Sequence, residues 1–109
     1  MYCTKLATEF ELVIEKMQEQ DIFIFQTILH MIGLQNKKVS IIIGLCGQIN
    51  FMCFKLAIMK EHQKMIRSLT LILLEQCDQM IPQLCENFNF VKELEINLNN
   101  FALNFDHLP

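Results

Sequence analysis

The chain has 109 residues, 52 % of them hydrophobic, with 9 Lys and Arg against 12 Asp and Glu for a formal net charge of -3. That length suits one domain over residues 1–109, and 3 Gly with 2 Pro are too few for a many-stranded sandwich or barrel, which needs a turn signal every roughly 8 to 12 residues. The hydrophobic share lies slightly above the globular average, which points to surplus apolar surface and hence to a protein partner or self-association.

Leu6, Phe10, Val13 and Met17 recur at spacings of four, three and four, while Glu9, Glu11, Glu15 and Glu19 avoid that stripe. The pattern predicts a first helix over about residues 4 to 19. Asp21 then reads as an N-cap, and Ile22, Phe25, Ile28, Leu29 and Ile32 predict a second helix, central to the core. Gly33 and the polar run from Gln35 to Lys38 supply its stop and a loop.

Residues 39–54 contain no charge. As a helix this run rises about 24 Å, short of a hydrocarbon core of about 30 Å, and Gln48 and Asn50 would fall mid-span. A buried amphipathic helix explains it at lower cost, with a membrane-associated helix as the alternative and a short strand over Ile41 to Ile43 also fitting the letters. Lys60 to Lys64 suit a turn, although a continuous helix fits as well.

Met65, Ile66, Leu69, Ile72, Leu73, Cys77 and Met80 predict another helix, ended near Pro82, which either opens the next helix in its first turn or kinks the chain. Leu84, Phe88, Val91, Leu94 and Leu98 form a further apolar face, and Asn97, Asn99 and Asn100 set off a short last helix at about 101–106. The sum is an all-α fold, a compact bundle of five or six antiparallel helices.

Motifs for chemistry are missing from the letters. There is no Gly-rich phosphate loop, nucleophile elbow or His-Glu-x-x-His pair, so no enzymatic activity and no cofactor are expected. Cys3, Cys46, Cys53, Cys77 and Cys85 form no Cys-x-x-Cys pair and no His lies near them in zinc-site spacing, which predicts reduced thiols, no metal site and a cytoplasmic location. Glu61 and His62 are neighbours, but adjacent helical residues point about 100° apart. Glu93 and Glu95, two apart, would likewise lie on different sides of a helix.

Charge is distributed in blocks. Residues 1–36 hold two lysines against five carboxylates, residues 37–67 six cations against Glu61, and residues 68–109 one lysine against six carboxylates. The basic side chains come singly or in pairs without interleaved aromatics, which argues against nucleic acid. Leu12, Ile96 and Leu103 lie off the predicted stripes, and together they would form a patch suited to protein contact.

From Phe10 to Lys38 the chain resembles the first two helices and following loop of a death-effector domain. Phe10, Val13 and Met17 stand at the apolar positions, Glu19-Gln20-Asp21 at the acidic start of the second helix, and Lys37-Lys38 at the basic loop. Leu69 to Asp78 is similar to the family's fourth helix, Phe90 to Leu94 to its fifth, and Phe101 to Leu108 stands for the sixth; of the family's Arg-x-Asp-Leu, the stretch Asn100-Phe101-Ala102-Leu103 keeps only the leucine.

The resemblance implies a death fold and an adaptor or regulator of apoptosis. It would act by homotypic contacts in which Phe25 and Ile28 dock on a neighbouring copy while Glu19 and Asp21 meet Lys37 or Lys38. The expectation is therefore a non-catalytic protein–protein interaction module. A helical chaperone or subunit of a larger complex, or a membrane-associated helical subunit, is the alternative.

Overall fold

Four segments place apolar side chains at close to every second position, and with a short exposed strand at the N-terminal side they form a sheet. The computed structural model describes residues 1–74 and 77–98. Its strands are β1 (Tyr2–Lys5), β2 (Glu9–Ile14), β3 (Lys38–Leu45), β4 (Ile66–Leu73) and β5 (Glu93–Leu98). Three helices connect them: α1 (Ile22–Leu34) between β2 and β3, α2 (Gln48–Ala57) between β3 and β4, and α3 (Ile81–Asn87) between β4 and β5. Short 3-10 turns at Glu19–Asp21, Lys60–Met65 and Asp78–Met80 complete the connections.

The sheet order is β1-β2-β3-β4-β5, antiparallel between β1 and β2 and parallel from β2 to β5. Each β-α-β connection thus steps one strand in the same direction, and since such crossovers are right-handed, all three helices fall on one face of the sheet. Register confirms this. Leu12, Ile41, Leu69 and Leu94 form one row across the parallel strands, and Ile14, Ile43, Leu71 and Ile96 form the next. The first three members of each row are buried, while Leu94 and Ile96 on the last strand are half-buried.

Against those rows pack Phe25, Leu29 and Ile32 from α1, Phe51, Phe54 and Ala57 from α2, and Leu84 from α3. Phenylalanines join the three helical connections. Phe25 meets Phe54 edge-on at 6.0 Å, Phe54 meets Phe88 at 5.3 Å, and Phe88 meets Phe51 at 5.9 Å. Asn50 ties the loops above the sheet, donating to the Met17 carbonyl at 2.8 Å and accepting from the Cys46 amide at 3.1 Å.

The all-α bundle of antiparallel helices is therefore corrected to an α/β fold. The helix expected over residues 4 to 19 is the β1-β2 hairpin, because Phe10, Leu12 and Ile14 also satisfy a period of two and β3 supplies the pairing partner. The uncharged run from 39 to 54 divides into a strand enclosed by two neighbours and the first turns of α2, which explains its lack of charge without a bilayer. Among the described residues no helix is long and apolar enough to cross a membrane.

The helix expected from Met65 to Met80 is mostly β4, whose Ile66, Leu69, Leu71 and Leu73 face the core. The second expected helix does form, as α1, and ends where Asn36 adopts a left-handed φ of 55°. Pro82 lies in the first turn of α3, where its missing N–H costs nothing.

Candidate functional site

A parallel sheet ordinarily has helices on both faces. Here the face turned away from α1, α2 and α3 carries no described element, and its side chains are half-buried or exposed rather than sealed.

Register assembles this face row by row. Glu11, Ser40, Ser68 and Glu93 lie in one line across β2, β3, β4 and β5, and Val13, Ile42, Thr70 and Glu95 in the next. Two carboxylates thus bracket two serines, and with parallel strands about 4.8 Å apart Glu11 and Glu93 stand about 14 Å from one another. Glu93 and Glu95, expected on different sides of a helix, share one face because a strand repeats every two residues.

An irregularity in the ladder adds a cation to this face. Val39 pairs with Ile66 but Ser40 pairs with Ser68, so β4 bulges by one residue and turns Arg67 onto the open side. Arg67 donates to the Glu9 carboxylate at 2.8 Å, with Glu93 at 3.9 Å, and Ser40 donates to the other Glu9 oxygen at 3.3 Å. The hydrogen bond to Glu9, with the negative charges of Glu9 and Glu93 behind it, holds the guanidinium pKa above its ordinary value.

Such an arrangement offers separated carboxylates, hydroxyls and short apolar side chains, a chemistry of recognition. Among the described residues no group of three His, Cys, Asp or Glu could hold a metal ion.

The residues singled out from sequence do not gather at one surface. Phe25 is fully buried beneath Phe54 and cannot dock on another molecule, and Ile28 packs half-buried against the same core. Glu19 is exposed, while Asp21 is half-buried and accepts from the Gln18 amide at 3.0 Å, closing the turn before α1. Lys37 and Lys38 lie at the opposite end of α1, about 20 Å away along a helix of 13 residues. Ile96 belongs to a core row of β5, Leu12 is fully buried, and Leu103 lies outside the described residues.

Sequence reasoning missed Glu11, Ser40, Ser68, Thr70 and Arg67 as a surface. The available signal was a repeated apolar-x-apolar pair, Leu12-Ile14, Ile41-Ile43, Leu69-Leu71 and Leu94-Ile96, at intervals of 29, 28 and 25 residues.

No family model, curated protein or solved structure matches the chain. The resemblance to the death-effector domain is accordingly withdrawn, together with the death fold and the apoptotic role it implied: nothing among known proteins supports it, and a five-stranded sheet occupies the segments assigned to helices.

Proposed function

We propose that the chain is a non-catalytic protein-interaction module whose open sheet face receives a polypeptide partner carrying basic residues. The observation that carries this reading is a sheet that, among the described residues, is covered by helices on one side, its other side lined by Glu9, Glu11, Glu93 and Glu95, with Arg67 paired to Glu9. Stacked strand-helix units create extended surfaces for binding. Acidic groups at its margins would attract and orient a cationic partner more than they would tighten the complex. An odd number of cysteines with no Cys-x-x-Cys spacing fits a cytoplasmic location.

Photo-crosslinking tests this. A photoreactive residue in place of Thr70, on the open face, is expected to give a discrete adduct in cells that Glu11→Lys with Glu95→Lys abolishes; the same residue in place of Lys55, on the outer side of α2, is expected not to give it. An adduct that forms equally from both positions, or that survives the charge reversals, would refute the reading.

A second surface supports membership of a larger complex. Phe23 and Ile49 are 76 % and 79 % exposed and Leu56 63 %, so α1 and α2 each carry apolar residues outward as well as inward.

A further inference from the structure

We infer that a cleft at the N-terminal ends of β3, β4 and β5 is a binding site for a small phosphate ester with a flat apolar body. This cleft shares Arg67 with the margin of the open sheet face, but its argument does not depend on the role proposed for that face.

Two hollows of about 340 and 380 Å³ meet at Lys38 and Lys64, which line both. The first is walled by Lys37, Glu61 and His62 among others, and the second by Arg67, Lys92, Ile66 and Phe90. Either volume matches the space small ligands occupy, roughly 300 to 1,000 Å³. Four residues with cationic side chains, one each from β3, the 3-10 stretch, β4 and the loop before β5, line the second hollow, and no carboxylate is among its lining residues.

These charges are incompletely answered by the protein. Arg67 is held by Glu9, and Lys38 donates to the Lys64 carbonyl at 2.9 Å, which fixes its ammonium across the junction of the hollows. Lys64 and Lys92 have no ion-pair partner among the described residues. Lys64 and Lys92 thus leave positive charge at the mouth of the hollow that a bound anion would answer.

The chemistry of the walls narrows the ligand. Several ammonium groups suit a dianionic phosphoryl group better than a single carboxylate. Beside them Phe90, held edge-on against Phe88 at 6.2 Å, and Ile66 give a firm apolar wall for a flat organic body. The cation block at residues 37–67, which as a sequence showed no nucleic-acid pattern, supplies three of the four charges, and Lys92 from the acidic block completes the set.

The test is titration of the isotope-labelled full chain with phenyl phosphate at fixed ionic strength, followed by amide chemical shifts. Saturable shifts confined to residues around Lys38, Lys64, Arg67, Phe90 and Lys92 are expected. Affinity should fall roughly tenfold for each of Lys64→Met and Lys92→Met, as the loss of a charge-assisted contact implies, and should be unchanged in Lys55→Met. Both lysines are exposed at the rim, so a well-dispersed spectrum and unchanged melting will show that the variants fold. Phenol should not bind, and inorganic phosphate should bind more weakly than the ester. Shifts that never saturate, or equal affinity in the Lys64→Met, Lys92→Met double variant, would overturn the site; inorganic phosphate binding as tightly as phenyl phosphate would overturn the role given to Phe90.

Discussion

Replacing Gly44 by alanine is expected to destabilise the fold by about 2 to 4 kcal/mol. Gly44 lies on β3, the middle strand of five, and a Cβ there would stand 2.3 Å from the Glu15 carbonyl oxygen and 3.1 Å from Leu74 Cδ1. The leucine tip can rotate aside. The carbonyl cannot, because it belongs to backbone anchored on one side by the β2-β3 ladder and on the other by the Asn50 bond to Met17. Relief therefore requires the exit of β2 to move by about 1 Å, with overpacking strain of about 1 to 3 kcal/mol and weakening of a hydrogen bond worth about 1 kcal/mol. Gly33 provides the contrast: a Cβ there meets Met65 Sδ at an ordinary 3.6 Å, and alanine in α1 should stabilise by about 0.5 to 1 kcal/mol. Urea denaturation followed by circular dichroism measures both, and the alanine at 44 should also lower the melting temperature by roughly 4 °C per kcal/mol. If Gly44→Ala stays within about 0.5 kcal/mol of the parent, the ordinary noise of surface substitutions, then Glu15 does not lie over β3 and the geometry of this end of the sheet is wrong.

Phe54→Ala should cost about 3 to 5 kcal/mol in the same assay, because Phe54 is fully buried between Phe25 and Phe88; a loss no larger than that of exposed Phe23→Ala would contradict the core. Gly47→Ala should cost about 1 to 3 kcal/mol despite open space around it, since φ 108° with ψ -177° is a region side chains avoid; its unfolding midpoint checks this. Partial burial pushes the Cys3 thiol pKa up, so its alkylation by iodoacetamide should be slower in the folded than in the unfolded chain and its half-maximal pH displaced upward. The same sign makes stability fall as pH rises past the ordinary thiol range, where the unfolded chain loses the proton first; a downward displacement of the alkylation profile would refute it.

How much of this was legible depended on which elements carry an unambiguous period. α1 was, because Ile22, Phe25, Leu29 and Ile32 keep a spacing of three and four that no strand can use, and Asn36 beyond it provides the left-handed stop. The strands were not. In Phe10-Leu12-Val13-Ile14 and Ile66-Leu69-Leu71-Ile72-Leu73 both sides of the chain hold apolar residues, as expected where one side faces helices and the other faces half-buried Val13, Ile42 and Ile72. A residue-by-residue test of period then fits a helix equally well, and the decision rests on pairing with strands some 28 residues away. Low glycine and proline content rightly excluded a many-stranded sandwich or barrel but did not exclude a sheet, because parallel strands linked by helices need fewer tight turns than a meander does. The surface was less legible still, since Glu11 and Glu93 become neighbours in a row only through three ladders of register.

The fold converts the block pattern of charge along the chain into a pattern in space. Glu9 and Glu11 come from the acidic first block and Glu93 and Glu95 from the acidic last block, and they fall on β2 and β5, the outer parallel strands. Between them β3 and β4 contribute Ser40, Ile42, Ser68 and Thr70 to the open face. The cations of the middle block, excepting Arg67, are set at the ends of those strands or on the helical side. A single chain therefore presents an acid-neutral-acid band at right angles to a basic edge. A partner matched to the band would carry two cations about 14 Å apart, which four residues of extended chain span at about 3.4 Å each. Lys or Arg at positions i and i+4 of a strand, with a small residue between them over Ser40 and Ser68, is the pattern this face selects, and a peptide with the same composition but the cations at i and i+2 should bind it less well.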